Sequence, residues 1–169
     1  MRRNWIFLGT FVLSILYLSS LVMAYDIKVS QQSFRGLKGI YVFVENLNPQ
    51  IEKDGLTRDS IKRDVESMLR HAKIKILSKA EWFEVTGSPY LYLNANVLKL
   101  PDSKEYIYSV TIALKQNVYP VREPIEILGA ATWSVGGIIG ITPSLDKIRE
   151  AVREQVNKFI KIYLSVNPR

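Results

Sequence analysis

The alternation of apolar and polar residues along the chain predicts five β-strands. Residues 40–44 are apolar at every position, which is typical of an interior strand covered on both faces. Residues 74–77 form a shorter apolar run, and residues 91–97 alternate with a period of two. Residues 106–114 also alternate, and a last strand over residues 125–135 has one apolar face, formed by Ile127, Ala131, Trp133 and Val135.

Two segments instead repeat their apolar residues at helical spacing. The first follows Thr57, a good N-cap residue, and its stripe comprises Ile61, Val65, Met68, Leu69 and Ala72. The second is predicted to have Thr142 as its N-cap and Pro143 at its first helical position. Its stripe comprises Leu145, Ile148, Val152, Val156, Phe159 and Tyr163.

The predicted order of elements is β-α-β-β-β-β-α. Two amphipathic helices and one sheet bury their apolar sides most simply against each other. We therefore predict an α+β fold: a two-layer sandwich in which two helices cover one face of a mostly antiparallel sheet.

The N-terminal segment has the pattern of an export signal. Arg2 and Arg3 precede an apolar stretch over residues 5–23, and the small residue Ala24 follows it. Residues 1–24 are interpreted as a signal peptide or, alternatively, as an uncleaved membrane anchor, since the stretch is long enough to cross a bilayer. Both alternatives place the rest of the chain outside the cytoplasm, in the periplasm or secreted. Residues 25–38 are predicted to be a polar lead-in, and residues 39–169 a single domain.

Composition narrows the classes of partner and of chemistry. The chain has a formal net charge of +7, and without residues 1–24 it keeps 21 basic and 16 acidic residues, a net charge of +5. This moderate excess favours anionic surfaces in general, whereas export argues against a nucleic-acid partner. Cysteine is absent, which excludes disulfides, thiolate metal sites and a cysteine nucleophile.

Three groups of residues could carry chemistry, and each has a simpler interpretation. His71 is the only histidine and lies near the end of the first helix, where a cation complements the helix dipole. Gly136, Gly137 and Gly140 precede the second helix and could cradle a phosphate, but we interpret them as a flexible turn at the edge of the sheet. Single carboxylates along the chain could meet in space as a hydrolytic pair, although no spacing favours one: Glu45, Glu52, Asp54, Asp59, Asp64, Glu66, Glu81 and Glu84.

The sheet provides the candidate binding residues. If the helices cover the face that carries Leu91, Leu93 and Val110, the opposite face presents small, polar and aromatic side chains. Such a mixture suits an exposed binding surface, and an ordinary solvated sheet face is the alternative. The predicted binding residues are Tyr92, Asn94, Asn96, Ser109, Thr111, Thr132 and Ser134.

Residues 39–45, 55–69, 89–97, 131–134 and 159–169 resemble an uncharacterised family of exported bacterial proteins. The resemblance implies no established activity and assigns no functional residue. The order of elements is also similar, more distantly, to that of small envelope assembly lipoproteins, such as the lipopolysaccharide-assembly lipoprotein and the auxiliary lipoproteins of lipid transporters. Those proteins are anchored through a cysteine, which this chain lacks.

Taken together, these patterns favour a non-enzymatic binding or assembly module of the bacterial cell envelope. A small extracytoplasmic hydrolase that uses carboxylates is the alternative. The expected partner is an envelope protein or an anionic envelope lipid or glycan, with membrane contact only through the N-terminal segment. We expect no catalytic residue, metal site or cofactor.

Overall fold

The computed structural model describes residues 30–168. Their elements are β1 (Tyr41–Val44), α1 (Pro49–Lys53), α2 (Arg58–His71), α3 (Lys79–Glu84), β2 (Tyr90–Lys99), β3 (Tyr106–Val118), β4 (Ile127–Thr142) and α4 (Leu145–Val166). This arrangement confirms the predicted α+β class. The predicted signal peptide or anchor lies outside the described residues. Between residues 30 and 168, no helix has both the length and the apolar composition needed to span a membrane.

The four strands form one mixed sheet in the order β1-β2-β3-β4. β1 runs parallel to β2, and the three helices α1 to α3 make the crossover that a parallel pair requires. β2 pairs antiparallel with β3, and β3 pairs antiparallel with β4. The sheet is therefore mostly antiparallel, as predicted.

Helices α2 and α4 lie on the same face of the sheet, which we call the covered face, and they contact each other. α2 packs against β1, and α4 packs against β3 and β4. The buried side chains of the covered face include Val42, Val44, Leu91, Leu93, Ala95, Val97, Val110, Ile112, Leu114 and Trp133. The opposite side of the sheet, which neither α2 nor α4 covers, is called the open face below.

Both predicted helical stripes point into the core. In α2, Ile61, Val65 and Leu69 are buried, and in α4 so are Ile148, Val152, Val156 and Phe159. Thr57 caps α2, accepting a hydrogen bond from the Ser60 backbone N–H. The two helices are linked by Asp64, whose carboxylate accepts hydrogen bonds from Arg149 and Arg153 at 2.8 and 3.1 Å.

The segment before β1 contributes to the core, which its largely polar sequence did not predict. Residues 30–32 form a helical turn, and Phe34 is fully buried. Its ring lies 5.2 Å from that of Trp133 and 5.1 Å from that of Phe159. At the other end of the chain, Asn167 holds this segment by donating to the Phe34 carbonyl and accepting from the Gly36 N–H.

The predicted strand over residues 74–77 is only a single bridge, in which Ile40 and Ile76 pair in parallel. Lys73, with φ of 55°, turns the chain out of α2 immediately before it, and Ser78 already caps α3 immediately after it. Of the four residues between these two turns, only Ile76 pairs, with Ile40, because the chain turns at Lys73 and Ser78 and does not follow β1 further. The segment nevertheless covers one end of the β1 edge, since backbone bonds join Ile40 to Lys75 and Leu77.

The end of the sheet is longer than predicted, and α4 starts later. Gly136, Gly137 and Gly140 belong to β4 and do not form a turn. Thr142 is the last residue of that strand, and Ser144 is the N-cap residue of α4. The glycines permit the strand to continue because they accommodate a bulge, a common role of glycine within strands: the register between β3 and β4 shifts opposite Thr111.

Candidate functional site

The register of β2 and β3 brings four of the predicted binding residues together on the open face. Asn94 lies directly opposite Thr111, and Asn96 lies opposite Ser109. Directly opposed residues in a sheet have Cβ atoms about 4.5–5.5 Å apart. The four side chains therefore form one compact patch of amide and hydroxyl groups, called the polar row.

At one end of the polar row, the open face contains a depression of about 340 Å³. Asn96 and Ser109 line it, together with Asn46 from the loop that follows β1. Leu98, Ile107 and Ile139 complete its apolar side. The depression thus combines amide and hydroxyl groups with aliphatic surface, the combination found in sites that orient a largely apolar ligand by a few polar contacts.

The aliphatic side continues beyond the depression as an exposed patch. Ile107 pairs across the strands with Leu98 on one side and with Ile141 on the other, and Ser109 pairs with Ile139. The exposed fractions of these side chains are 58% for Leu98, 37% for Ile107, 77% for Ile139 and 61% for Ile141. Contiguous exposed apolar side chains of this kind mark interaction sites more often than single ones do. We call these four residues the aliphatic patch.

At its other end, the open face carries a cluster of aromatic rings. The parallel register places Tyr41 beside Tyr90 and Phe43 beside Tyr92. The rings of Phe43 and Tyr92 stack with their centroids 6.0 Å apart and an angle of 10°. Trp82, from α3, stacks on Tyr41 at 5.0 Å and 16°, and its indole N–H donates to the Ser88 carbonyl at 2.6 Å. These five residues form the aromatic cluster.

Three cations border the aromatic cluster. Lys115 Nζ lies 3.9 Å from the centre of the Tyr92 ring, Lys62 Nζ lies 5.4 Å from that of Tyr41, and the Arg58 guanidinium lies 5.8 Å from that of Phe43. These separations are within the range of cation–π attraction. This end of the open face therefore presents stacked aromatic rings that are bordered by positive charge.

Two tyrosines of the cluster, Tyr90 and Tyr92, have raised pKa values. Partial burial raises the pKa of Tyr90 above its ordinary value of 10.0. Burial also raises the pKa of Tyr92, and a hydrogen bond with the Glu45 carboxylate adds to the effect. The Tyr90 hydroxyl therefore stays protonated at neutral and mildly alkaline pH, and so does the Tyr92 hydroxyl, which donates to Glu45.

The other predicted binding residues lie apart from the polar row. Tyr92 belongs to the aromatic cluster, and Ser134 is exposed on β4 opposite Ala113. Thr132 has no paired residue on β3, because the register shifts there. Its hydroxyl accepts a hydrogen bond from the Gln116 amide at 2.8 Å and is therefore already engaged.

The polar row was predicted by alternation alone, but the aromatic cluster and the aliphatic patch were not. Tyr41 and Phe43 were signalled by their alternate positions in an otherwise aliphatic strand. Trp82 gave no such signal, since it reaches the cluster from a separate helix. Ile139 and Ile141 lay in the segment interpreted as a glycine turn.

The residues considered for catalysis lie in ordinary structural contacts. His71 is exposed at the last position of α2, and its Nδ1 lies 2.7 Å from the Ser67 carbonyl oxygen of the same helix. Among the carboxylates, Asp54 accepts from Lys99 and Tyr106 at 2.9 Å, and Glu66 accepts from Arg70 at 2.7 Å. Within residues 30–168, no three histidine, aspartate or glutamate side chains are grouped so that they could hold a metal ion.

No family model, curated protein or solved structure matches this chain. The open face is therefore the basis for a functional assignment.

Proposed function

We propose that the protein is a non-enzymatic binding module of the bacterial cell envelope, exported by residues 1–24, and that the open face holds its partner. The observation that supports this proposal is that three surfaces lie side by side along the open face. They are the aromatic cluster with its cations, the polar row, and the aliphatic patch.

An envelope protein is the partner that this surface suits best. Protein interfaces combine aromatic and aliphatic contacts with hydrogen bonds that fix the orientation of the partner. The open face offers aliphatic and aromatic groups on both sides of four hydrogen-bonding side chains, Asn94, Asn96, Ser109 and Thr111. Apart from the depression beside Asn96, it is the face of a sheet and not a cleft, and it would leave much of a small ligand exposed.

The proposal is tested by photo-crosslinking in cells that express the full chain. A photoreactive amino acid is placed at Asn96 in the polar row, and the control places it at Asn157, which is exposed on α4. We expect an adduct from position 96 that protease removes, and little or no adduct from position 157. A protease-resistant adduct that is lipid-soluble or contains glycan would instead identify an anionic lipid or glycan as the partner. Equal yields at the two positions would contradict the assignment to the open face.

The envelope location is tested separately by cell fractionation and mass measurement. We expect the protein outside the cytoplasm, with a mass that shows the loss of residues 1–24. A full-length chain in the membrane fraction would indicate the anchor instead. Soluble full-length protein in the cytoplasm would contradict an envelope function, even if the open face binds a partner.

A further inference from the structure

The outer edge of β4 is a long strand edge that no described segment covers. β4 is the last strand of the sheet and contains sixteen residues, which at roughly 3.3 Å per residue extend over about 50 Å. Within residues 30–168, its only strand partner is β3, and no further backbone–backbone hydrogen bond joins it to another segment. Unpaired N–H and C=O groups along such an edge recognise another extended backbone.

β4 lacks most of the usual protection against strand pairing; the exception is bulging, since its register against β3 shifts at three places and its longest regular run is residues 138–142. Exposed edges are commonly protected by charged residues, by proline or by a covering segment. Ile127–Thr142 contains no charged residue and no proline. The β1 edge differs, because Arg58 Nε donates to the Val44 carbonyl at 2.7 Å and the bridge to Ile76 covers Ile40.

Exposed apolar side chains are also concentrated at this edge. The large hydrophobic residues that are exposed number eleven among those described, and seven of them lie in β4 or in the loop before it. These seven are Tyr119, Val121, Ile125, Ile127, Leu128, Ile139 and Ile141. A partner strand on β4 would therefore bury apolar surface in addition to pairing with the free backbone N–H and C=O groups.

We propose that β4 pairs antiparallel with β4 of a second copy of this chain. Antiparallel pairing of a strand with itself is closed by a two-fold axis, so it stops at a dimer. Because β4 has no charges, self-pairing brings no like charges together. The regular run of residues 138–142 would form about five hydrogen bonds between the chains, the low end for an interface, and the exposed side chains of Ile139 and Ile141 would add apolar burial.

The pairing would join the two sheets into one of eight strands. The two-fold axis is perpendicular to such a sheet, so the open faces of both copies lie on the same side. With residues 138–142 paired about Gly140, the two aliphatic patches become neighbours, because each includes Ile139 and Ile141 of this run.

The mass of the full chain in a mild detergent, measured by sedimentation or native mass spectrometry, tests the pairing. We expect a dimer that becomes a monomer when Leu128→Lys and Ile139→Lys add charges to the edge strand. The matched control is Phe83→Lys with Leu164→Lys, which adds the same charges at exposed positions of α3 and α4, and it should remain a dimer. A wild-type monomer, or a dimer lost only in the control, would overturn the proposal.

Hydrogen exchange of the β4 amides supplies a second measurement. We expect their protection to increase with protein concentration, by more than tenfold between the monomer and the dimer, and to be lost in the Leu128→Lys, Ile139→Lys variant. Protection that does not depend on concentration would show that the chain covers this edge with its own residues, and it would contradict pairing between copies.

Discussion

The two faces of the sheet are built from alternate residues of the same strands, yet they differ in nearly every physical property. In β2, Leu93, Ala95 and Val97 are buried beneath the helices, whereas Asn94 and Asn96 between them reach the open face. The covered face is apolar and buried, and Trp133 is an aromatic member of it. The open face holds aromatic, polar and aliphatic groups in separate zones.

This difference shows that stability and recognition are carried by neighbouring residues. Burial of aliphatic groups provides the main favourable free energy of folding, and in this sheet it is concentrated on the covered face. The side chains of the polar row contribute little to that burial, so their identities are free to serve a partner. Substitutions should therefore separate into those that destabilise the fold and those that affect binding alone.

The largest effect is expected at the centre of the covered side. Phe159 is fully buried and contacts the rings of Phe34 and Trp133 at centroid distances of 5.1 and 5.9 Å. Phe159→Ala should lower the free energy of unfolding by roughly 3–5 kcal/mol, measured by denaturant unfolding. Phe83→Ala is the control, since Phe83 is 64% exposed. A loss below about 1 kcal/mol at Phe159 would contradict the assignment of α4 to the core.

A gain in stability is expected where a polar side chain breaks the pattern of the covered side. Gln155 of α4 is fully buried, and among the described residues neither its Oε1 nor its Nε2 has a hydrogen-bond partner. Gln155→Leu removes these unsatisfied groups at similar volume, so we expect about 1–3 kcal/mol of added stability.

The control for this substitution is Asn157→Leu on the exposed side of the same helix. It should change the free energy of unfolding by less than about 0.5 kcal/mol. A destabilised Gln155→Leu variant would show that the amide is satisfied in solution.

The covered face could be predicted from the sequence because each of its elements obeys one period. Leu91 and Leu93 in β2, and Ile61 and Val65 in α2, are spaced by the geometry of a strand and of a helix. The start of α4 was misplaced because Thr142 has a capping side chain: its hydroxyl accepts from the Ser144 N–H, although it lies in the strand.

The open face was less predictable because alternation fails at bulges and says nothing about distant segments. Trp133 and Ile138 both align with covered-face residues of β3, although one number is odd and the other even. The bulge between them reverses the parity, and Ile139 and Ile141 were missed because the predicted strand ended at residue 135. The stacking of Trp82 on Tyr41 depends on how α3 packs against the sheet, and the spacing of residues within α3 does not predict that packing.

A small effect on stability is expected in the polar row. Asn96 is exposed, and Asn96→Ala should change the free energy of unfolding by less than about 0.5 kcal/mol while it weakens the contact with the partner. Leu93→Ala in the same strand should cost about 2–5 kcal/mol, because Leu93 is fully buried. Denaturant unfolding of both variants measures the contrast. A large loss of stability in Asn96→Ala would contradict the assignment of stability to the covered face and of binding to the open face.

The smallest effect is expected in α3, the helix that supplies Trp82 to the aromatic cluster. Unlike α2 and α4, α3 has no buried residue and is held at its start by polar contacts. The Glu81 carboxylate lies 2.7 Å from Lys75 Nζ and accepts from the Ser78 N–H at 2.8 Å. Lys75, followed by the Ser78 contacts, lowers the pKa of Glu81 from 4.5 to about 2.

This shift of the Glu81 pKa gives a pH dependence with a defined sign. Because the pKa is lower in the folded state, ionised Glu81 stabilises the fold above its unfolded pKa of 4.5, and this contribution is lost as the pH falls toward about 2. The stability difference between the wild type and Glu81→Gln should therefore shrink over that interval, and the exposure of the pair keeps it small. An NMR titration should give a carboxyl pKa well below 4.5 in the wild type and closer to 4.5 in Lys75→Met. A wild-type value near 4.5 would show that this contact does not hold α3 in solution, and that Trp82 is anchored by its ring contacts and its hydrogen bond to Ser88.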